Sequence, residues 1–138
     1  MLEIIGLDKT YKEKPFFGAA RVVAAAKDVG LTVRRGEIAG VVGESGSGKS
    51  TVARCVVRLI EPSAGAIFLK DEDIVQVSSA QMRLRRTRVQ MIFQDPYRSL
   101  NPRRQVGDSL IEGLVNFGVA AAEARQQAAQ ALELVGLG

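Results

Sequence analysis

Several features that are common in membrane and secreted proteins are missing from this 138-residue sequence. No apolar run approaches the ~20 residues that a membrane-spanning helix needs, and the N-terminus lacks the basic start and apolar stretch of a signal peptide. The single cysteine, Cys55, excludes an internal disulfide, and its apolar neighbours predict a buried side chain. These absences indicate one soluble domain, with a cytosolic location as the default.

Aromatic residues are also scarce, at 5% of the chain, and the net charge is +4. The scarcity of aromatic residues affects which binding partner the positive charge indicates. Arginines are concentrated in the second half: Arg83, Arg85, Arg86, Arg88, Arg98, Arg103 and Arg104. Such a patch can bind the phosphates of nucleic acid or lipid, but no aromatic residues alternate with the arginines at 83–88 to stack on bases. We therefore favour a solvated helix face or a surface that contacts a protein partner.

The most informative segment that is present is Gly43–Ser50, with the sequence GESGSGKS. Four residues separate two glycines, and Lys and Ser follow, which is the pattern of a phosphate-binding loop. Apolar residues 38–42 before it predict a buried parallel strand, and residues 51–60 after it can continue as a helix. A Gly/Ser-rich surface turn that matches by chance would lack this setting, so the segment predicts a nucleoside triphosphate site.

The residue types in this loop match the chemistry of phosphate binding. Glycines free the backbone and remove side chains that would block a phosphate, so successive amides can form an anion-binding nest at the positive end of the helix. Lys49 would reach the β- and γ-phosphates, Ser50 would offer its hydroxyl to Mg²⁺, and Thr51 would be a neighbouring donor. The predicted nucleotide-binding residues here are Gly43, Glu44, Ser45, Gly46, Ser47, Gly48, Lys49, Ser50 and Thr51.

Strands and helices are predicted on both sides of this loop. We expect strands at 2–7, 31–33, 66–69 and 89–93, with a loosely patterned connection at 15–30. We expect the loop helix to end at 61–65, where Pro and Gly occur, and further helices at 79–86, 106–117 and 120–134. This mixture around a phosphate loop predicts an α/β fold, in one domain that spans residues 1–138.

A second motif, Val89–Pro96 with the sequence VQMIFQDP, is a predicted strand that ends in Gln94. It resembles the Q-loop of ATP-binding cassette (ABC) ATPases. The longer run Phe93–Arg103, FQDPYRSLNPR, resembles the ABC subfamily that powers import of dipeptides, oligopeptides, glutathione or nickel. Residues 43–51, 61–65 and 132–137 fit the same subfamily, so the resemblance covers essentially the whole chain.

The resemblance implies the P-loop NTPase core of an ABC ATPase, in truncated form, with an antiparallel β subdomain and a partial parallel sheet with helices. ATP and Mg²⁺ would be its ligands. Tyr11 lies where an aromatic ring stacks on adenine, and Gln94 would contact Mg²⁺ and the attacking water and sense the γ-phosphate. Lys49 and Gln94 are then the candidate catalytic residues, and Ser50 and Gln94 the candidate metal ligands.

The resemblance also implies partners and a location. These are transmembrane permease subunits and a second ATPase subunit, with the chain peripheral on the cytoplasmic face of the plasma membrane and without direct contact to nucleic acid. The loop at 97–104 would face the permease. Arg58, Lys70–Asp71 and Arg98 depart from the family pattern, at positions that do not touch the phosphates.

Three elements that ABC ATPases need for hydrolysis are missing from the sequence. It has no histidine, no Leu-Ser-Gly-Gly-Gln signature and no uninterrupted apolar strand that ends in Asp-Glu. Phosphoryl transfer depends on a positioned water and on stabilised charge, so we expect this chain alone to bind nucleotide weakly and to turn over negligibly. An excised fragment, a truncated gene product and one part of a split ATPase are all compatible with the sequence.

Two further functions stay open at the level of the sequence. A non-transport ABC-type ATPase acting on nucleic acid would use the arginines, and its affinity would fall steeply with salt. A non-hydrolysing nucleotide-binding module would need none of the missing elements. The run Gln94–Pro102 favours the importer, whose transported substrate is not specified because selectivity lies in the permease and the binding protein.

Overall fold

The computed structural model describes residues 1–13, 21–95 and 100–137, which group into two compact units, Met1–Met91 and Ile92–Gly138. Among the described residues, the first unit contains four strands and two helices, and the second contains two helices. In chain order the elements are β1 (Leu2–Glu13), β2 (Arg21–Val33), α1 (Lys49–Val56), β3 (Ala64–Leu69), β4 (Glu72–Asp73), α2 (Ser79–Arg85), α3 (Val106–Asn116) and α4 (Ala121–Leu134).

The sheet of the first unit has the order β2-β1-β3-β4, and all its pairings are antiparallel. Strand β1 is central, with Leu2 opposite Val33 of β2 and Leu69 of β3. Gly65 allows β3 to start close beside β1, because a Cβ at this position would lie 2.4 Å from the carbonyl oxygen of Gly6. Its φ of +92° is also one that other residues rarely adopt.

One apolar core joins this sheet to both helices of the first unit. Its fully or almost fully buried residues are Ile4, Leu7, Cys55, Ile67, Ile74 and Met82. The expectation that Cys55 is buried is confirmed, and burial raises the pKa of its thiol. Helix α1 therefore rests on the sheet through its C-terminal half, which fixes the position of its N-terminal end.

The three later helices agree with the sequence. Ser78 caps α2, because its hydroxyl accepts from the amide of Gln81 at 3.3 Å and the Gln81 side chain accepts from the amide of Ser78 at 2.9 Å. In the second unit α3 packs against α4, with Ile111 and Ala124 buried. No helix in the described part of the chain is long and apolar enough to cross a membrane.

Two predicted strands, at 38–42 and 89–93, are wrong for this structure, and the first of them was predicted to be a buried parallel strand. Residues 38–42 and 89–93 form no strand, and the described residues contain no parallel pairing, so the expected partial parallel sheet is not formed. A strand needs a neighbour for its backbone groups, and these segments have none among the described residues. Several of their apolar side chains are exposed instead, with Ile38 97%, Val42 94% and Ile92 98% accessible, whereas Val89 is partly buried against the core.

Other element bounds also differ from the sequence-based expectations. Strand β1 continues to Glu13, and β2 begins at Arg21, within the segment expected to be a loose connection. Helix α1 ends at Val56, well before residue 60, and Arg58 just beyond it has a φ of +48°. Arg58 therefore adopts a backbone conformation that usually favours glycine, and residue composition does not predict this.

Candidate functional site: the phosphate loop

Helix α1 begins directly after the glycine loop, and its first amides are not hydrogen-bonded within the described part of the chain. Gly48, with a φ of +91°, precedes the first helical residue, and no side chain caps the helix. The amides of Lys49, Ser50 and Thr51 have no acceptor among the described residues. Because the helix dipole adds positive potential at this end, the site favours an anion with several oxygen acceptors.

The ammonium of Lys49 lies within the loop itself. It donates to the carbonyl oxygens of Gly43 at 2.8 Å and Glu44 at 2.6 Å, and to the Ser47 hydroxyl at 3.2 Å. The loop therefore folds around its own lysine, which places a positive charge beside the free amides of α1. Lys49 is the residue that the loop pattern predicts to bind the phosphates.

Strand β2 forms one wall of the site. A Cβ at Gly48 would lie 2.0 Å from the carbonyl oxygen of Ala25, so no larger residue fits between loop and strand. Ala25 and loop residues line a cleft of about 160 Å³: Gly46, Gly48, Lys49, Ser50 and Thr51. This is smaller than the ~300–1,000 Å³ of typical ligand pockets, so the cleft suits the phosphate end of a ligand.

The remaining predicted loop residues, from Gly43 to Ser47, are exposed, as is Ser50. The described residues contain no group of three or more His, Cys, Asp or Glu that could hold a metal. Mg²⁺ is usually bound by one or two protein oxygens together with phosphates and waters. The Ser50 hydroxyl beside a phosphate site fits that pattern.

Tyr11, the predicted adenine-stacking residue, lies on β1 opposite Val23 of β2 and is 39% exposed. The ammonium of Lys9 lies 5.0 Å from the centroid of its ring, which is a cation–π contact. Lys9 was not among the residues predicted from the sequence. Lys9 lies two residues before Tyr11, and this spacing puts both side chains on one face of a strand. The spacing was the signal from which Lys9 could have been predicted.

Gln94 belongs to the second unit, whereas the phosphate loop and Tyr11 belong to the first. It is exposed and lies outside any strand, so the expected strand-end setting is not observed. The expectations for Tyr97 and Arg98 lie outside the described residues, as does Pro96. The assignment of Gln94 to Mg²⁺ and the attacking water stays a prediction.

Three of the six clustered arginines whose side chains are described, Arg85, Arg86 and Arg104, make side-chain contacts within the chain. Arg85 forms a two-nitrogen ion pair with Glu72 of β4, and this hydrogen bond lowers the pKa of the Glu72 carboxyl. Arg86 donates to carbonyl oxygens of Val57 and Arg58, beyond the end of α1. Arg104 pairs with Glu112 at 2.8 Å. Arg83 and Arg88 are exposed.

Arg58 is a further residue whose contacts the sequence did not reveal. Its guanidinium donates to the carbonyl oxygens of Ile74 and Val77, both at 2.7 Å, and forms an ion pair with Glu61. The side chain is only 8% exposed. Arg58 thereby fastens the end of α1 to the segment that follows β4.

Residues 26–138 match the family model described as ABC transporter. The chain belongs to the ABC transporter family. Among its ABC relatives, a Brucella ovis protein named for peptide import and ATP binding is 43% identical over 138 residues. The dipeptide transport ATP-binding protein DppF of Escherichia coli K12 is 37% identical over 139 residues. Each match covers 99% of this chain and 42% of the relative, so the chain spans less than half of the relatives' length.

Solved structures of ABC cassettes share the fold. The dimeric cassette MJ0796 matches with a TM-score of 0.82 at 23% identity, over 100% of this chain and 58% of that chain. The cbiO1 protein of Clostridium perfringens, part of the cbiONQ complex, matches with a TM-score of 0.73 at 26% identity, over 99% and 50%. The predicted ABC ATPase fold is confirmed by these likenesses.

Proposed function

We propose that this ABC family member binds Mg²⁺ and ATP through residues 43–51, as the nucleotide-binding part of an importer ATPase subunit. The main support for the proposal comes from the N-terminal end of α1, where the free amides of Lys49, Ser50 and Thr51 lie beside the Lys49 ammonium. Free donors and a fixed cation at a helix N-terminus suit a polyphosphate better than a neutral ligand.

Each residue has a defined task in this proposal. The amides at 49–51 bind the β- and γ-phosphates together with the Lys49 ammonium, which exchanges one of its three contacts within the loop for a phosphate oxygen, and the Ser50 hydroxyl is a ligand of Mg²⁺. Mg²⁺, when bound, neutralises charge that develops on the phosphates. Tyr11 stacks on adenine, and Gln94 orients the attacking water.

The importer assignment rests on the relatives and on the run FQDPYRSLNPR. The proteins from Brucella ovis and Escherichia coli carry names that describe peptide or dipeptide transport. We propose that the two units, Met1–Met91 and Ile92–Gly138, are parts of one nucleotide-binding domain. It would act with a second ATPase subunit and with permease subunits, at the cytoplasmic face of the membrane, in uptake of peptides or related solutes.

Nucleic-acid binding receives less support from the structure. Arg85, Arg86 and Arg104 make contacts to groups within the chain. An arginine that already binds a carboxylate or a carbonyl must give up that contact to bind a nucleic-acid phosphate. The use of these three arginines within the chain leaves only part of the cluster to bind a nucleic acid.

Titration with ATP in the presence of Mg²⁺ tests the binding claim. We expect saturable binding that falls at least about tenfold in Lys49→Ala, because a charge-assisted contact to phosphate is lost. AMP, which lacks the β- and γ-phosphates, should bind more weakly than ATP. Equal ATP affinity in wild type and Lys49→Ala would overturn the proposal.

The gene sequence beyond codon 138 tests the importer assignment separately. We expect an in-frame Leu-Ser-Gly-Gly-Gln signature followed by an Asp-Glu pair. Without them the chain would be a nucleotide-binding module that does not hydrolyse ATP.

A further inference from the structure

Strand β1 is paired unequally on its two sides, and the difference begins just before Tyr11. On one side it pairs with β2 as far as Glu13 opposite Arg21. On the other side its pairing with β3 stops at Asp8, opposite Ala64. The backbone that carries Tyr11 would therefore be held from one side only, were it not for Ser63.

Ser63 takes the place of a strand neighbour next to this open part of β1. Its amide donates to the carbonyl oxygen of Asp8 at 2.8 Å, and its hydroxyl accepts from the amide of Thr10 at 3.0 Å. The same hydroxyl lies 3.2 Å from the Thr10 hydroxyl and 3.4 Å from the Thr10 carbonyl oxygen. A single serine thus continues the hydrogen bonding of the strand to the residue before Tyr11.

Lys9 provides a second link from the same segment to the Tyr11 side chain. Its ammonium donates to the carbonyl oxygen of Glu61 at 2.7 Å and also lies over the Tyr11 ring. A cation over one face of an aromatic ring restricts the ring and leaves the opposite face for stacking. The backbone at Glu61 therefore influences the position of the ring.

The segment 61–63, which we call the connector, is also linked to helix α1, which begins at the phosphate loop. It follows α1 in the chain, and the Glu61 carboxylate is held by the guanidinium of Arg58 at 2.7 and 3.1 Å. Helix α1 carries the free amides at its other end. The connector thus joins the helix that begins at the phosphate loop to the strand that carries the aromatic ring.

We propose that Ser63 and Lys9 are positioning residues, which hold the Tyr11 ring in the place where it stacks on the adenine of ATP. The inference rests on the proposed nucleotide function and deepens it, because it concerns selection of the adenine end. Loss of Ser63 would then weaken the binding of a nucleotide but not of a polyphosphate without a base.

Calorimetric titration with two ligands, Mg²⁺–ATP and inorganic tripolyphosphate, tests this inference. We expect Ser63→Ala to weaken ATP binding about three- to tenfold, the usual range for one lost hydrogen bond, and to leave tripolyphosphate binding unchanged. Ser63→Thr, which keeps the hydroxyl, should bind ATP like wild type. Tyr11→Ala should show the same selective loss, and the double variant should lose no more than Tyr11→Ala alone.

The control is Thr32→Ala on β2, an exposed residue whose hydroxyl has no partner among the described residues. It should bind both ligands like wild type. Equal weakening of both ligands by Ser63→Ala, or additive losses with Tyr11→Ala, would overturn the inference. A loss of both ligands in Lys49→Ala alone would still support the proposed function.

A measurement without nucleotide separates the two claims further. The chain has two tyrosines, so Tyr97→Phe leaves Tyr11 as the single tyrosine in ring-selective NMR spectra. In that background Ser63→Ala and Lys9→Met should each shift or broaden the Tyr11 ring signals. Unchanged ring signals in both variants would overturn the positioning role even if ATP binds.

Discussion

The carbonyl oxygen of Ala25 lies where a side chain on Gly48 would begin, 2.0 Å from the position of its Cβ. The obstacle is backbone of a paired strand, which cannot rotate away as a side chain can. Gly48 also has a φ of +91°. The contact between β2 and the loop therefore depends on glycine at this position for two independent reasons.

Substitution of Gly48 should cost more stability than substitution of its neighbour Gly46. Gly46 also has a positive φ, but no atom lies within 4 Å of its Cβ position. We expect Gly46→Ala to destabilise by about 1–2 kcal/mol from backbone strain, and Gly48→Ala by about 3 kcal/mol or more because overpacking adds to the strain. Urea unfolding of both variants measures this, and equal losses would show that the Ala25 contact costs nothing.

Arg58 should contribute more to stability than an ordinary surface arginine. We expect Arg58→Ala to lower the free energy of unfolding by about 2–3 kcal/mol, because the charge-assisted hydrogen bonds to two carbonyl oxygens and to Glu61 are lost. Glu61→Gln should cost less than about 1 kcal/mol, since the Glu61 side chain is 62% exposed. Similar small losses in both variants, measured by urea unfolding, would contradict the role of Arg58.

The ion pair between Arg85 and Glu72 should make stability depend on acidic pH. The hydrogen bond from Arg85 lowers the pKa of Glu72 in the folded chain below its unfolded value of about 4.3. The contribution is therefore fully present above the unfolded pKa and is lost as pH falls through the folded pKa. Thermal unfolding between about pH 7 and pH 3 should show a smaller difference between wild type and Glu72→Gln at the acid end.

The matching control for this pair is Arg85→Met, which removes the cause of the shift. Its pH dependence should resemble that of Glu72→Gln, and the double variant should add little to either change. If wild type stays more stable than Glu72→Gln by the same amount down to pH 3, this result would contradict the lowered pKa of Glu72.

Cys55 should be unreactive in the folded chain. It is fully buried, and burial raises the pKa of its thiol, so that the thiolate is scarce at neutral pH. We expect an aromatic disulfide reagent at pH 7.5 to label Cys55 only as fast as the first unit opens, and quickly in denaturing urea. Labelling of the native chain at the rate of a free thiol would contradict the buried core.

The candidate phosphate loop could be proposed from the sequence because its residues are adjacent in the chain, and its binding of phosphate stays a prediction. Residues 43–51 contain the glycines, the lysine and the hydroxyls, and the following helix supplies the dipole. The same reasoning located α2, α3 and α4 through caps and helix-forming residues. Such segments depend little on partners that are distant in the chain.

The strands were predicted less well because pairing is a long-range property. Residues 38–42 and 89–93 have strand-like composition, yet no described segment pairs with them. Conversely, β2 contains the run Ala24–Ala26, which has low strand propensity, and it forms because β1 supplies its hydrogen bonds. Residue composition therefore does not show which segment finds a pairing partner and which does not.

The contacts of Lys9, Arg58 and Ser63 could not be predicted from the sequence either. Ser63 meets Thr10, 53 residues away, and Arg58 meets Val77, 19 residues away. Lys70, one of the positions that depart from the family pattern, adopts a φ of +61°. This conformation depends on the neighbouring strands and does not follow from residue type alone.

The most direct test of the central claim is an amide NMR titration with Mg²⁺ and ATP. If residues 43–51 bind the triphosphate, the amide signals of Gly46, Gly48, Lys49, Ser50 and Thr51 should shift together and saturate, and in Lys49→Ala these shifts should be lost or strongly reduced. Shifts confined to other parts of the chain, or identical shifts in Lys49→Ala, would contradict the account.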